Sequence, residues 1–350
     1  MKRSTHKKIL FIALAAAVTA TAAHAEDSYT LYGKARMSVD STDDGSNTVT
    51  RVSSNSSRLG FKGAEDIGNG LKALFQMETL VNMDDASTTL FSTGRNTYVG
   101  IAGGFGTAVL GNTDNPYKLA TSRLDIWSDS MGDFNTIIGN VSGATTPFNE
   151  REPNSINYWS PKMNGLQFMA AYRPDETGGV NRDRYSLNAL YENGPFYGSV
   201  AYEKHNLDNV SGASGNDTKG LTFGLGYTFN EDKTKLGLIY ESLSEDNVAS
   251  VIDRNAWYLA LSHKMASNTV KIAYARAGDN DVASNTGANW YVVGLDHALS
   301  KRTALYALYA TTDNDTGARY GLGTGGSSGA VVPTAGLDPS TFSIGINHDF

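Results

Sequence analysis

Cysteine is absent from all 350 residues. That one absence excludes a disulfide scaffold, a thiolate zinc site and a thiol nucleophile. Proline is scarce at 8 residues and tryptophan at 4. After residue 25 no apolar run reaches the roughly 20 residues that a membrane helix needs. Cations are in deficit too, with 29 Lys and Arg against 36 Asp and Glu and a net charge of −7. No basic surface for nucleic acid is implied, so no nucleic-acid partner is expected.

The first 25 residues stand apart. Lys2, Arg3, Lys7 and Lys8 precede the apolar stretch "ILFIALAAAV" (9–18), and Ala23-His24-Ala25 fits a small-residue cleavage site. This is the pattern of a secretory signal, with a core too short to span a membrane as a helix. The expected organisation is a signal peptide over 1–25 and one domain over 26–350. Cleavage takes four cations away and leaves 25 against 36 acids, a charge of −11. An exported chain without disulfides suits a continuous hydrogen-bonded sheet.

What is abundant points the same way. There are 18 Tyr, 13 Phe and 37 Gly, the material of strands and turns. Alternation runs through the whole chain after the leader. "YTLYGKARMSVD" (29–40) sets Tyr29, Leu31, Ala35, Met37 and Val39 on one face and Lys34, Arg36 and Ser38 on the other. "GLKALFQMET" (70–79) and "LTFGLGYTF" (221–229) repeat the pattern, and "FSIGINHDF" (342–350) ends on it. Such strands bury only alternate residues in lipid, so a negative mean hydropathy does not exclude a membrane barrel.

The connections sort by length. Short ones fall at 65–70, 103–106, 160–165, 192–195, 230–233, 264–268 and 299–303; long polar ones at 40–56, 82–94, 112–154, 174–183, 205–218, 244–253, 278–288 and 312–340. Seven short and eight long connections imply sixteen strands. Short turns at one rim and long loops at the other describe an all-β, antiparallel transmembrane barrel. Such a sheet must close, because an open edge in lipid leaves backbone groups unpaired. The last segment is therefore expected to pair with the first. The alternative is a secreted sandwich or propeller, whose turns need not sort this way.

Several segments together resemble the Gram-negative general porins: "LYGKARMSVD", "SSRLGFKGAEDIGNGLKALFQMET" (56–79), "RNTYVGIAGGFGTAVLGN" (95–112), "NSINYWSPKMNGLQFMAAY" (154–172), "LSKRTALYALY" (299–309) and the terminal Phe. The resemblance implies a homotrimer of sixteen-stranded barrels in the outer membrane, surrounded by outer-membrane lipids, with the third long loop folded inward. It also implies that Phe350 is a signal read by the barrel-assembly machinery. The third loop lacks the Pro-Glu-Phe-Gly segment of the enteric members, which leaves its path open.

That loop carries Asp114, Asp125, Asp129, Asp133 and Glu150, with Trp127, Phe134, Ile137 and Ile138 as apolar anchors. Parity places Lys34, Arg36, Arg58, Lys62 and Lys72 on the lumen face of the first three strands, with Arg95 and Arg151 near strand ends. An acidic loop opposite a basic wall would set a transverse field and tune ion preference. The expected function is passive passage of ions and small hydrophilic solutes, needing no cofactor, no metal and no catalytic residue. A modest anion preference follows from the basic wall. A substrate-specific channel or a barrel enzyme are the rival readings. "GLGTGG" (321–326) and "GGSSG" (325–329) match a dinucleotide fingerprint and a nucleophile elbow but lack strand-to-helix context, and read as accidents of composition. Asp279 with Asp281 and Asp313 with Asp315 read as solvated loop rather than calcium ligands, and the histidines at 205, 263, 297 and 348 show no metal spacing.

Overall fold

The computed structural model describes residues 28–85, 91–142, 148–178, 180–207, 217–246 and 250–350. The expected signal peptide over 1–25 lies outside the described residues. In chain order the strands begin with β1 (Ser28–Asp43), β2 (Thr48–Ser54), β3 (Arg58–Gly68), β4 (Leu71–Val81), β5 (Phe91–Gly94), β6 (Thr97–Gly103) and β7 (Gly106–Asp114). After the helix α1 (Pro116–Thr121) come β8 (Arg151–Trp159), β9 (Leu166–Arg173), β10 (Arg184–Asn193), β11 (Phe196–His205), β12 (Thr218–Phe229) and β13 (Thr234–Glu245). The last five are β14 (Arg254–Met265), β15 (Asn268–Ala277), β16 (Ala288–Ala298), β17 (Thr303–Asn314) and β18 (Ser340–Asp349).

β2 and β3 pair with the upper and lower halves of β1, and β5 and β6 pair successively with β4. Each couple is thus one spanning strand with a local break, which leaves sixteen spans. Every neighbour is antiparallel, and β18 closes the sheet onto β1 in a register that sets Lys34 opposite Asp349 and Asp43 opposite Ser340. Phe350 continues the seam: its backbone N–H donates to the Gly33 carbonyl at 3.0 Å and its carbonyl accepts from the Gly33 N–H at 2.9 Å. Gly33 has no side chain because the Phe350 ring occupies that space. The ring faces outward and is 48% exposed.

Outward positions are apolar along the spans, as Leu31, Val39, Leu187, Leu259, Val293 and Ile344 show. Exposed aromatics gather at two levels. Phe105, Phe196, Tyr227 and Phe229 lie by the short turns, and Tyr185, Tyr202 and Trp257 by the ends of the long connections. This is the paired girdle of a barrel held in a bilayer.

One connection differs from its expected length. The stretch 40–56 reads as a long loop, but only Asp44–Asn47 separate β1 from β2, because Met37–Asp43 pair fully with Thr48–Ser54. The Asp44 carboxylate accepts from the Ser46 and Asn47 backbone N–H groups at 2.8 Å and folds the turn tightly. Polar inward residues such as Asp40, Thr42 and Ser53 make this strand read as a loop, since lumen faces need not be apolar.

The interior is divided. Segment 115–142 packs on inward-pointing side chains of β10 to β17, where Ala256, Tyr258, Ala275, Trp290, Val292 and Leu308 form an apolar surface. Into it fit Trp127, Phe134, Ile137 and Ile138, each at most 3% exposed. Small alanines beside large rings leave room for these anchors. Each buried apolar side chain contributes about 1.5 to 3 kcal/mol to holding the segment in place.

The glycine-rich stretch has a structural use that composition alone does not reveal. Residues 318–331 return over the same segment, with Tyr320, Leu322 and Val331 joining Met131 and Trp127 in one apolar cluster. Gly325 lies so close to the Asp133 carboxyl that any Cβ there would collide with it. Ser327 bridges to Asn55, and the Ser328 N–H donates to the Ser54 carbonyl at 3.0 Å, which ties the stretch to β2.

Candidate functional site

Against β1 to β8 the interior stays open. A cavity of about 600 Å³ is lined by Arg58, Arg95, Lys118 and Arg151, by Asp114, Asp125, Asp129, Asp133 and Glu150, and by the glycine-rich stretch at Thr324–Gly326. Eight of the twelve charged residues expected at the site border this space.

Asp129 is its hinge. One carboxylate oxygen accepts from the Arg36 guanidinium at 2.9 Å and from the Arg58 guanidinium at 2.7 Å. Arg36 also donates to the Ser128 carbonyl at 3.2 Å. The register explains why the cations crowd: Lys34 sits directly across from Arg58, and Arg36 follows Lys34 on the same face. Asp129 adopts φ +57°, a left-handed conformation that aims its carboxylate at the wall. Burial alone would raise its pKa, but the positive field of Arg58 and Arg36 prevails and holds it below the ordinary carboxylate range.

Two more carboxylates hold cations in place. Asp114 meets Lys118 at 3.1 Å and Arg151 at 3.2 Å, and accepts from the Asn96 amide at 2.8 Å. Arg95 pairs with Glu78 at 2.7 Å. The result is uneven. Among the described residues, Lys34, Arg36, Arg58, Arg95, Lys118 and Arg151 crowd this side of the lumen, while their ion pairs come from Asp129, Asp114 and Glu78. Charge is therefore left over on the positive side.

Of the remaining loop acids, Asp125 and Glu150 do little to offset it, and Asp133 offsets part of it only once it is ionised. Asp133 caps a short turn, accepting from the Asn135 N–H at 2.9 Å and from the Asp129 N–H at 3.0 Å. Burial pushes its pKa up to about 6. Asp125 accepts from the Trp127 N–H at 2.9 Å. Burial and the nearby Asp133 push its carboxyl well above the usual range. Glu150 turns to Arg184 at 3.3 Å, and Arg184 also meets Glu152 at 2.9 Å.

Two expected wall residues lie elsewhere. Lys62 is four residues along β3 from Arg58, about 13 Å toward the short-turn rim at the rise of a strand. It rests over the Tyr32 ring at 5.3 Å. Lys72, the second residue of β4, sits opposite Asp66 beside the same rim. Parity speaks to the face of a strand and says nothing of height. Sequence reasoning missed Glu78, Lys118 and Arg184. Glu78 and Arg184 alternate onto lumen faces and could have been found that way. Lys118 sits on α1, a helix that the strand pattern does not foresee; its signal was the Asn-Pro start, with Asn115 accepting from the Lys118 N–H at 2.8 Å.

Glu152, Glu203 and His205 also converge, all buried, with one potential ligand atom from each within 4.8 Å of the others. The sequence spacing gave no hint of this. His205 Nε2 lies 2.7 Å from Glu203, and Arg184 and Arg173 already pair with Glu152. The cluster fastens the base of the loop, since the Asn115 side chain donates to Glu203.

A family model described as Gram-negative porin matches residues 13–317. The major outer membrane protein P.IB of Neisseria gonorrhoeae is 32% identical over 199 residues, which span 54% of this chain and 55% of that protein. Outer membrane porin protein 32 of Delftia acidovorans is 29% identical over 277 residues, 75% of this chain and 78% of that one. Among solved structures, the anion-selective porin from Comamonas acidovorans superimposes with a TM-score of 0.80 at 27% identity, over 93% of this chain and all (100%) of that one.

Proposed function

Because this chain belongs to the Gram-negative porins, we propose that it is an outer-membrane channel for ions and small hydrophilic solutes whose selectivity is set where Asp129 meets Arg36 and Arg58. Passage is passive and needs no cofactor or energy source. Water fills the cavity beside the basic wall, and a solute there crosses a field directed from the arginines to the loop carboxylates. The surplus of cations in this space attracts anions and repels cations, so we assign a moderate anion preference. The similarity to the anion-selective porin from Comamonas acidovorans supports that sign.

The observation that carries the reading is the double grip of Arg36 and Arg58 on one loop carboxylate, at 2.9 and 2.7 Å, next to an open cavity. We further propose a homotrimer bedded in outer-membrane lipids, export by a signal peptide removed after Ala25, and recognition of Phe350 by the barrel-assembly machinery. The test is single-channel recording from purified protein in a planar bilayer under a salt gradient. Ohmic steps in groups of three, with a reversal potential of anion-selective sign, are expected. Cation-selective steps would reject the charge assignment, and a folded protein without conductance would reject the channel itself.

A further inference from the structure

Among the described residues, the most deeply buried pair of an arginine with a carboxylate does not line the open cavity. Arg254 on β14 and Glu241 on β13 meet at 3.0 Å with side chains 1% and 0% exposed. Their remaining bonds do not serve the barrel wall. The Arg254 guanidinium donates to the Ile137 carbonyl at 2.7 Å and, through Nε, to the Asn140 carbonyl at 3.1 Å. The Glu241 carboxylate accepts from the Gly139 N–H at 3.0 and 2.9 Å and from the Tyr117 hydroxyl at 2.9 Å. One pair therefore holds both the start of the segment, at α1, and its turn at 137–140.

Stability alone is a poor account of this arrangement. Burying two charges is costly, and an apolar pair of similar size often serves a fold as well or better. A price is visible here, since the Arg254 Nη1 atom is buried with no hydrogen-bond partner. What an apolar pair could not do is accept one loop N–H, accept one hydroxyl and fork onto two loop carbonyls. Gly139 itself adopts φ +75°, and its carbonyl accepts from the Phe148 N–H at 2.9 Å, so the turn being held is a sharp one.

We infer that Arg254 and Glu241 are positioning residues of the channel: together they fix the height and angle of the loop, and so deliver Asp129 to Arg36 and Arg58 on the far side of the lumen. This rests on the constriction reading given above. Asp133 precedes the held turn by four residues and accepts from the Asp129 N–H at 3.0 Å, so slack at 137–140 reaches Asp129 through Asp133. The apolar anchors give the loop its affinity for the wall, but hydrophobic burial is not directional. Hydrogen bonds to a rigid fork are directional, and they choose one seating among several that the apolar surface allows.

The experiment uses the full trimer in planar bilayers. Two variants are compared with the parent: the double substitution Arg254→Met with Glu241→Leu, which strands no charge, and Arg254→Lys, which keeps the charge and loses the fork. Heat-modifiability on gels establishes that each barrel is folded. Both should show several-fold greater open-channel noise, a conductance raised by about twofold and a weakened anion preference, as expected when a pore-narrowing element loosens. A quiet channel of parental conductance and selectivity in either variant overturns the inference. A parent channel without anion preference overturns the charge reading instead, and leaves the noise comparison to judge the anchor.

Discussion

Toward β1 to β8 the segment 115–142 reaches the wall through charged groups, with Asp129 on Arg36 and Arg58, and Lys118 on Asp114, around a cavity of about 600 Å³. Toward β13 to β17 the same segment lies dry, with Trp127, Phe134, Ile137 and Ile138 against Tyr258, Trp290 and rows of alanine. One side is adhesive and the other is electrostatic. The division shows how a loop can be immobile enough to shape a pore while still presenting ionised groups to water: apolar packing and the buried Arg254–Glu241 pair supply the hold, and the charges beside the cavity set the field.

The comparison breaks most severely if the dry side is hollowed. Phe134, which meets the Tyr258 ring edge-on at 5.4 Å, is 2% exposed. Phe134→Ala should destabilise the folded protein by about 3 to 5 kcal/mol, in line with other buried aromatic truncations. Urea unfolding followed by tryptophan fluorescence measures it. An unchanged midpoint would mean that the apolar side does not hold the loop.

The electrostatic side is sharpened by removing its two arginines. A unit charge acting at close range in water contributes about 1 kcal/mol, so Arg36→Ala with Arg58→Ala should shift the anion-to-cation permeability ratio several-fold toward cations. The reversal potential under a salt gradient reads this directly. No shift would dismiss these residues as the selectivity wall.

A smaller effect distinguishes the charged rim from the buried seam between the loops. As pH falls through about 6, Asp133 takes up a proton and the loop loses a negative charge, while Asp129, held low by its arginines, stays ionised. Anion preference should therefore rise as the medium is made mildly acidic and fall as pH is raised again. Asp133→Asn should remove the step. A step of equal size in that variant would assign the proton to another group. The least change is expected from Lys62→Ala or Lys72→Ala near the short-turn rim, where selectivity should stay within error of the parent. A marked shift there would move the selective region down the barrel.

Much of this was legible beforehand. The alternation of Leu31, Met37 and Val39 with Lys34, Arg36 and Ser38 fixed which face met lipid, because a strand has a period of two. The sorting of connections gave the sixteen spans and the closure of β18 on β1. The polar stretch 40–56 misled because an inward face carrying Asp40, Thr42 and Ser53 resembles a loop when only hydrophobicity is read. Arg254 and Glu241 were invisible for the opposite reason: each sits at an ordinary inward position, and nothing near either residue in sequence announces a partner more than 100 residues away in the loop.

The sequence by itself determined the strand faces, the number of spans and the apolar character of the loop anchors, since these depend on neighbours one or two positions apart. Only the tertiary structure decided which lumen charges meet, that Lys62 and Lys72 stand too low, and that the glycine-rich stretch lies over Asp133. Those outcomes depend on strand register and on the path of a long loop across a closed barrel. Both are settled by contacts between residues far apart in the chain, where local periodicity carries no information.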